Sequence, residues 1–175
     1  MLQAFRPGGS INVVVESPRG SSVKFKYDPD DEVMTLSRPL PAGLVYPYDW
    51  GFVPSTQAPD GDPVDAVILW DASSYPGVVI PCRAIGLIKV EQTNAASKRR
   101  ERNDRLTMVP IEAPRHRDLT SVFDLPARVR KELEQFFLHA VAFENKAVKI
   151  LGWSGPEAAD RYLRRYQAQH AATGH

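Results

Sequence analysis

Residues 58–70 read A-P-D-G-D-P-V-D-A-V-I-L-W, placing Asp60, Asp62 and Asp65 directly before a continuous apolar run. The run from Ala66 to Trp70 reads as a buried strand and anchors the acidic turn. Pro63 breaks regular alternation, so Asp62 and Asp65 need not point to opposite sides. If these carboxylates converge within about 5 Å, each ionised pair costs roughly 3 kcal/mol at a protein-like dielectric. Protonation, a basic neighbour or a cation relieves such repulsion. From Gly20 up to the cluster the basic residues are Lys24, Lys26 and Arg38. An all-oxygen donor set suits a hard cation, Mg²⁺ above all.

Two plainer readings compete. A lone D-G-D is most often a solvated turn, because Asp and Gly suit turn geometry. An EF-hand counted from Asp60 needs Gly at its sixth position and Glu at its twelfth, where the chain has Asp65 and Asp71.

Outward from the cluster the chain is strand-rich. Residues 11–17 (INVVVES) read as a buried strand, and 22–28 alternate, with Val23, Phe25 and Tyr27 opposite Lys24 and Lys26. The Asp28–Asp31 turn predicts a hairpin with 32–38. Segment 44–54 is aromatic and irregular, broken by Pro47 and Gly51. Further strands are expected at 78–91, 105–112 and 147–153, with a polar loop from Gln92 to Asp104. A helix is expected over 124–142, where Leu125, Val129, Leu133, Phe136, Phe137 and Ala140 recur at helical spacing, with Asp124 as cap and Pro126 in the first turn. A second is expected from Ser154-Gly155-Pro156-Glu157, a capping-box pattern, to about Gln169. Strands first and helices last predict an α+β protein, mainly β, with a curled or closed antiparallel sheet.

The whole chain narrows the function. Its 175 residues fit a single domain over 1–175, with residues 1–10 and 170–175 expected to be flexible. Basic and acidic residues balance, 22 against 21, so no global field points to nucleic acid or an anionic membrane. The run Lys98-Arg99-Arg100-Glu101-Arg102 has no interleaved aromatics and reads as a solvated loop. No apolar run approaches membrane-span length, and the start resembles no signal peptide. The lone Cys82 reads as core and implies a reducing, cytoplasmic setting. His116, His139, His170 and His175 show no metal-ligand spacing; His139 is expected to be structural, and His170 and His175 to lie in a mobile tail.

D-G-D-P-V-D ahead of an apolar strand resembles the signature of the soluble family I inorganic pyrophosphatases. V-V-V-E with Glu16, V-K-F with Lys24, L-S-R with Arg38 and V-Y-P with Tyr46 resemble that family's upstream positions. C-R-A-I-G-L, R-L-T-M-V-P, D-L-P, F-F and V-K-I-L-G-W resemble its downstream segments, so the likeness spans about 11–167. The resemblance implies a five-stranded closed barrel of the OB type with the two C-terminal helices packed outside, commonly a homohexamer. It implies hydrolysis of pyrophosphate with several Mg²⁺ ions, Mn²⁺ or Zn²⁺ being possible substitutes. Asp60 and Asp65 would be metal ligands, and Asp62 the general base for the attacking water. Lys24 and Arg38 would bind phosphoryl oxygens, and Tyr46 would donate to phosphate or position Asp62. Glu16 would hold metal-bound water or orient Lys24.

The chain departs from the pattern in places. Lys26 stands where a second acidic residue is common, and Trp50, with only an N–H to offer, where tyrosine is usual. In the loop after Lys89, Glu91 and Asp104 are the expected further metal ligands, Asn103 aligning about as well as Asp104, and Arg105 replaces a phosphate-binding lysine. Ala140 and Val141 replace a Tyr-Lys pair, with Lys146 or Lys149 as possible compensation. These two residues motivate an alternative: a catalytically weakened homologue that binds an anion or a partner.

Overall fold

The computed structural model describes residues 2–94 and 97–173. The expectation for the last residues of the tail, His175 among them, lies outside the described residues.

The order of elements is β1 (Ile11–Ser17), β2 (Val23–Asp28), β3 (Val33–Pro39), β4 (Asp49–Val53), β5 (Val64–Ile68), β6 (Val79–Thr93), β7 (Arg100–Arg102), β8 (Arg105–Pro110), α1 (Ala127–Ala140), β9 (Lys149–Ser154) and α2 (Pro156–Thr173). Five strands close on themselves. β1 pairs β4, β4 pairs β5, β5 pairs β8, β8 pairs β6, and β6 returns to β1 through Ile80 opposite Val13. All of these pairs are antiparallel except β5–β8, a parallel pair that the expected antiparallel sheet did not include. The ring is the mainly-β architecture expected, with two helices late in the chain. Gly51 permits one close approach: a Cβ there would overlap the Val14 carbonyl oxygen of β1.

Three local expectations are corrected. The aromatic segment 44–54, read as irregular, supplies β4, five residues that are all buried. The polar loop after Gln92 contains β7, which turns back on β6 by pairing Gln92 with Glu101. Helix α1 starts at Ala127 with Pro126 as N-cap residue; Asp124 instead closes a capping box with Ser121 around a preceding 3₁₀ turn.

Alternation along β5 decides what faces what. Val64, Ala66 and Ile68 join one core cluster with Val13, Val15, Leu106 and, from α2, Ala159, Leu163 and Tyr166. Val67 joins a second cluster with Tyr46, Trp50 and, from α1, Leu133, Phe136 and Phe137. Asp65 lies between Val64 and Ala66 and so points with Val67, toward α1. Burying side chains such as Leu133 and Phe136 contributes about 1.5–3 kcal/mol each, which holds α1 against this side.

The β2–β3 hairpin is a separate two-stranded sheet. Side chains at the end of β1 fasten it. Ser17 Oγ accepts the Phe25 N–H at 3.0 Å and Glu16 Oε1 accepts the Tyr27 N–H at 2.9 Å. Lys24 lies opposite Arg38 in the hairpin register, so one fastening positions both cations.

Candidate active site

A cavity of about 290 Å³ opens between the hairpin, the acidic turn and helix α1. Asp60, Asp62 and Asp65 line it together, with Lys24, Lys26, Arg38, Tyr46, Trp50 and Arg105. The acidic turn is built locally. Gly61 adopts φ +89°, a left-handed conformation that suits glycine. The Ala58 N–H bonds the Asp62 carbonyl at 2.8 Å, and the Asp62 N–H bonds Asp60 Oδ1 at 3.2 Å. Thr56 Oγ1, itself donating to the Val53 carbonyl, accepts the Val64 N–H at 2.9 Å and ties the turn to β5.

Each aspartate has a partner on another element. Asn103 Nδ2 donates to Asp60 Oδ2 at 2.6 Å. Lys26 Nζ lies 3.1 Å from both oxygens of Asp62. Arg105 lies 3.2 Å from Asp65 Oδ2 and 5.6 Å from the Trp50 ring centroid. Lys26, a departure from the resembled pattern, therefore neutralises the carboxylate read as the base. Burial works against its charge, but the Asp62 hydrogen bond and the nearby carboxylates prevail and its pKa is raised.

The electrostatics separate the groups. Burial first, then Asp65 and Asp62, push the Asp60 pKa up. Burial pushes Glu16 up to about 7, opposed by the Tyr27 N–H and reinforced by Asp65. Burial lowers Lys24 despite Asp65 and Glu16, with Lys146 adding to the fall. Tyr46 is pushed up to about 12 by burial, against its hydrogen bond with Ser17, so its phenol remains a proton donor at neutral pH.

Of the expected metal residues, Asp104, Glu91 and Glu16 are not among those that line the cavity. Asp104 is buried, with Oδ1 accepting the Val90 N–H at 2.9 Å and Oδ2 lying 2.7 Å from Arg102. Its role is to hold β6 where the strand bulges, and its neighbour Asn103 faces the cavity instead. Glu91 is paired with Arg100 at 2.7 Å and does not line the cavity. Glu16 does not line it either, but it lies close enough to Lys24 and Asp65 to interact with both. The basic run is partly spent structurally, since Arg100 bonds Glu91 and the Ala147 carbonyl and Arg102 bonds Asp104.

Ala140 and Val141 line the cavity as expected of the departure from the resembled pattern, and Lys146 reaches it from the loop after α1, whereas Lys149 does not line it. The sequence reading missed Glu144, which lines the cavity and pairs with Arg38 at 3.3 Å. Its only signal was its place two residues before Lys146.

The donor set fits a hard cation. Carboxylate oxygens gather in one cavity, and burial first, then the charges of Asp65 and Asp62, raises Asp60. Among the described residues no group of three or more His, Cys, Asp or Glu side chains is placed to hold a metal ion. Mg²⁺ needs only one or two protein carboxylates, since water and phosphate oxygens complete its octahedron. Among the described residues no helix is long and apolar enough to cross a membrane.

Comparison with known proteins agrees with this geometry. The family model described as inorganic pyrophosphatase matches residues 13–171. An inorganic pyrophosphatase of Synechocystis sp. is 36% identical over 150 residues, covering 86% of this chain and 85% of that protein. The crystal structure of the Thermus thermophilus inorganic pyrophosphatase superposes with a TM-score of 0.86 at 35% identity, covering 96% of this chain and 98% of that one. An inorganic pyrophosphatase structure from Coxiella burnetii gives a TM-score of 0.87 at 31% identity, covering 97% of this chain and 99% of that one.

Proposed function

The chain belongs to the inorganic pyrophosphatase family, and we propose that its cavity hydrolyses pyrophosphate to two phosphates through the residues assigned below. The family carries a divalent metal cofactor; Mg²⁺ is the ion proposed here, held by Asp60 and Asp65. The observation that carries the reading is the convergence of Asp60, Asp62 and Asp65 on one cavity with Lys24, Arg38 and Arg105. A bound divalent cation supplies charge neutralisation for the phosphoanhydride and makes water more acidic.

The chain's own groups supply the rest. Asp62 accepts the proton of the attacking water. Half exposed and held by Lys26, it is reachable by solvent and oriented at once. Lys24, Arg38 and Arg105 draw charge from the phosphoryl oxygens as the bridging bond breaks, which is mainly positioning and electrostatics. Lys146 adds a cation in place of the pair lost at Ala140 and Val141. Tyr46 donates its hydroxyl hydrogen to a phosphoryl oxygen, and its ring is fixed 5.1 Å from Phe136. Trp50 stacks behind Arg105 and keeps it extended toward the ligand. Glu16 sits behind Lys24 and steers its ammonium.

A single domain over 1–175, a homo-oligomer with a hexamer favoured, and a cytoplasmic setting complete the proposal. The family match over 13–171 supports the first, and the lone, buried Cys82 fits the last. Phosphate release from pyrophosphate by the purified protein, with Mg²⁺ and with the ion chelated, tests the reading.

A further inference from the structure

Three of the carboxylates that line the cavity are held within the acidic turn and β5; Glu144 comes from the loop between α1 and β9. It lies 3.3 Å from Nε of Arg38. That guanidinium, like that of Arg105 in the same cavity, is shaped to grip a tetrahedral oxyanion. A carboxylate from another element thus sits on the group assigned to receive a phosphoryl oxygen. The pair is part-exposed, Arg38 at 23% and Glu144 at 39%, so it is screened and exchangeable rather than a fixed buried bridge. The loop is shaped by local bonds, the Glu144 N–H to the Val141 carbonyl at 3.0 Å and the Lys146 N–H to the Glu144 carbonyl at 2.7 Å. The two side chains of opposite charge therefore reach the cavity from one short turn.

We infer that Glu144 is a resident anion on Arg38 that an incoming ligand must displace, and that it selects pyrophosphate over single phosphate. The inference rests on the reading above, in which Arg38 binds a phosphoryl group. A ligand takes Arg38 by offering more negative charge than one carboxylate already in place. Pyrophosphate carries roughly twice the charge of a single phosphate near neutral pH and competes well. After cleavage each product carries the smaller charge, and Glu144 reclaims Arg38 as phosphate leaves. Lys146 stays in the cavity throughout, so displacement of Glu144 leaves the loop presenting a cation to the ligand.

The test is calorimetric titration of wild type, Glu144→Gln and Asp30→Asn with inorganic phosphate in the presence of Mg²⁺, alongside steady-state kinetics with pyrophosphate. Asp30 lies in the exposed turn of the same hairpin that carries Arg38 and is a control for net charge. Glu144→Gln is expected to bind phosphate roughly two- to five-fold tighter, the worth of one partly exposed ion pair. Product inhibition by phosphate strengthens in step, the KM for pyrophosphate falls less, and Asp30→Asn leaves each value unchanged. A merely structural Glu144 would weaken binding on substitution, the opposite sign. Unchanged or weaker phosphate binding in Glu144→Gln, or an equal gain in Asp30→Asn, overturns the inference. A wild type that does not cleave pyrophosphate overturns the proposed function instead, so the two failures are distinguishable.

Discussion

Asn103 Nδ2 lies 2.6 Å from Asp60 Oδ2, so an amide from the segment between β7 and β8 occupies one oxygen of an assigned metal ligand. Replacing Asn103 with aspartate exchanges this hydrogen bond for like-charge repulsion. Asn103→Asp is expected to lose about 1–3 kcal/mol of stability without divalent cation. Mg²⁺ should then raise its melting temperature more than it raises that of wild type, since the added carboxylate strengthens binding to the folded state. Equal Mg²⁺ shifts in the two proteins would place the cation away from Asp60.

Glu16 carries the second prediction. Burial raises its pKa from 4.5 to about 7 in the folded protein. Between these values the folded state holds a proton that the unfolded state has lost. The contribution of Glu16 to stability is therefore complete below about pH 4.5 and is lost as pH rises through about 7. Glu16→Gln removes this dependence while keeping an oxygen for the Tyr27 N–H. In metal-free protein its stability relative to wild type should grow by about 1–3 kcal/mol from pH 4.5 to 8, read by denaturant unfolding. A difference independent of pH would contradict a buried, proton-holding Glu16.

Arg105 carries the third. It is largely buried, at 13% exposure, and pairs with Asp65. Arg105→Met keeps the packing on Trp50 and leaves Asp65 without its cation. A loss of about 2–3 kcal/mol is expected in the absence of divalent ion. Mg²⁺ should recover part of that loss, because a cation at Asp65 replaces the missing charge. Thermal melts with and without Mg²⁺ decide, and no differential recovery would argue against a metal at Asp65.

The acidic turn, the β2–β3 hairpin and both helices were legible because each carries its own periodicity or breakers: Gly61 and Pro63 in the turn, alternation at Val23–Tyr27, and helical spacing through Leu133, Phe136 and Ala140. Strand β4 was not, since Pro47 and Gly51 read as breakers; Pro47 precedes the strand, and Gly51 is needed where β1 passes closest. That Asn103 and not Asp104 lines the cavity was hidden for a related reason. The two are adjacent in a segment whose phase is set by the long-range bond from Val90 to Asp104, which no local pattern encodes. Glu144 and Lys146 lie in a loop without periodicity, and only the packing of α1 brings them to the cavity.

The central claim is that Asp62 takes the proton of a water attacking pyrophosphate in this cavity. Phosphate release from pyrophosphate and Mg²⁺, measured side by side for wild type and Asp62→Asn, tests it most directly. Asp62 is half exposed and its bond to Lys26 is a surface pair, so Asp62→Asn should fold with stability within about 1 kcal/mol of wild type. Wild type is expected to release phosphate steadily, with a kcat about 10²- to 10⁴-fold lower in folded Asp62→Asn. No release by folded wild type above a blank, or equal turnover in the two proteins, would contradict it.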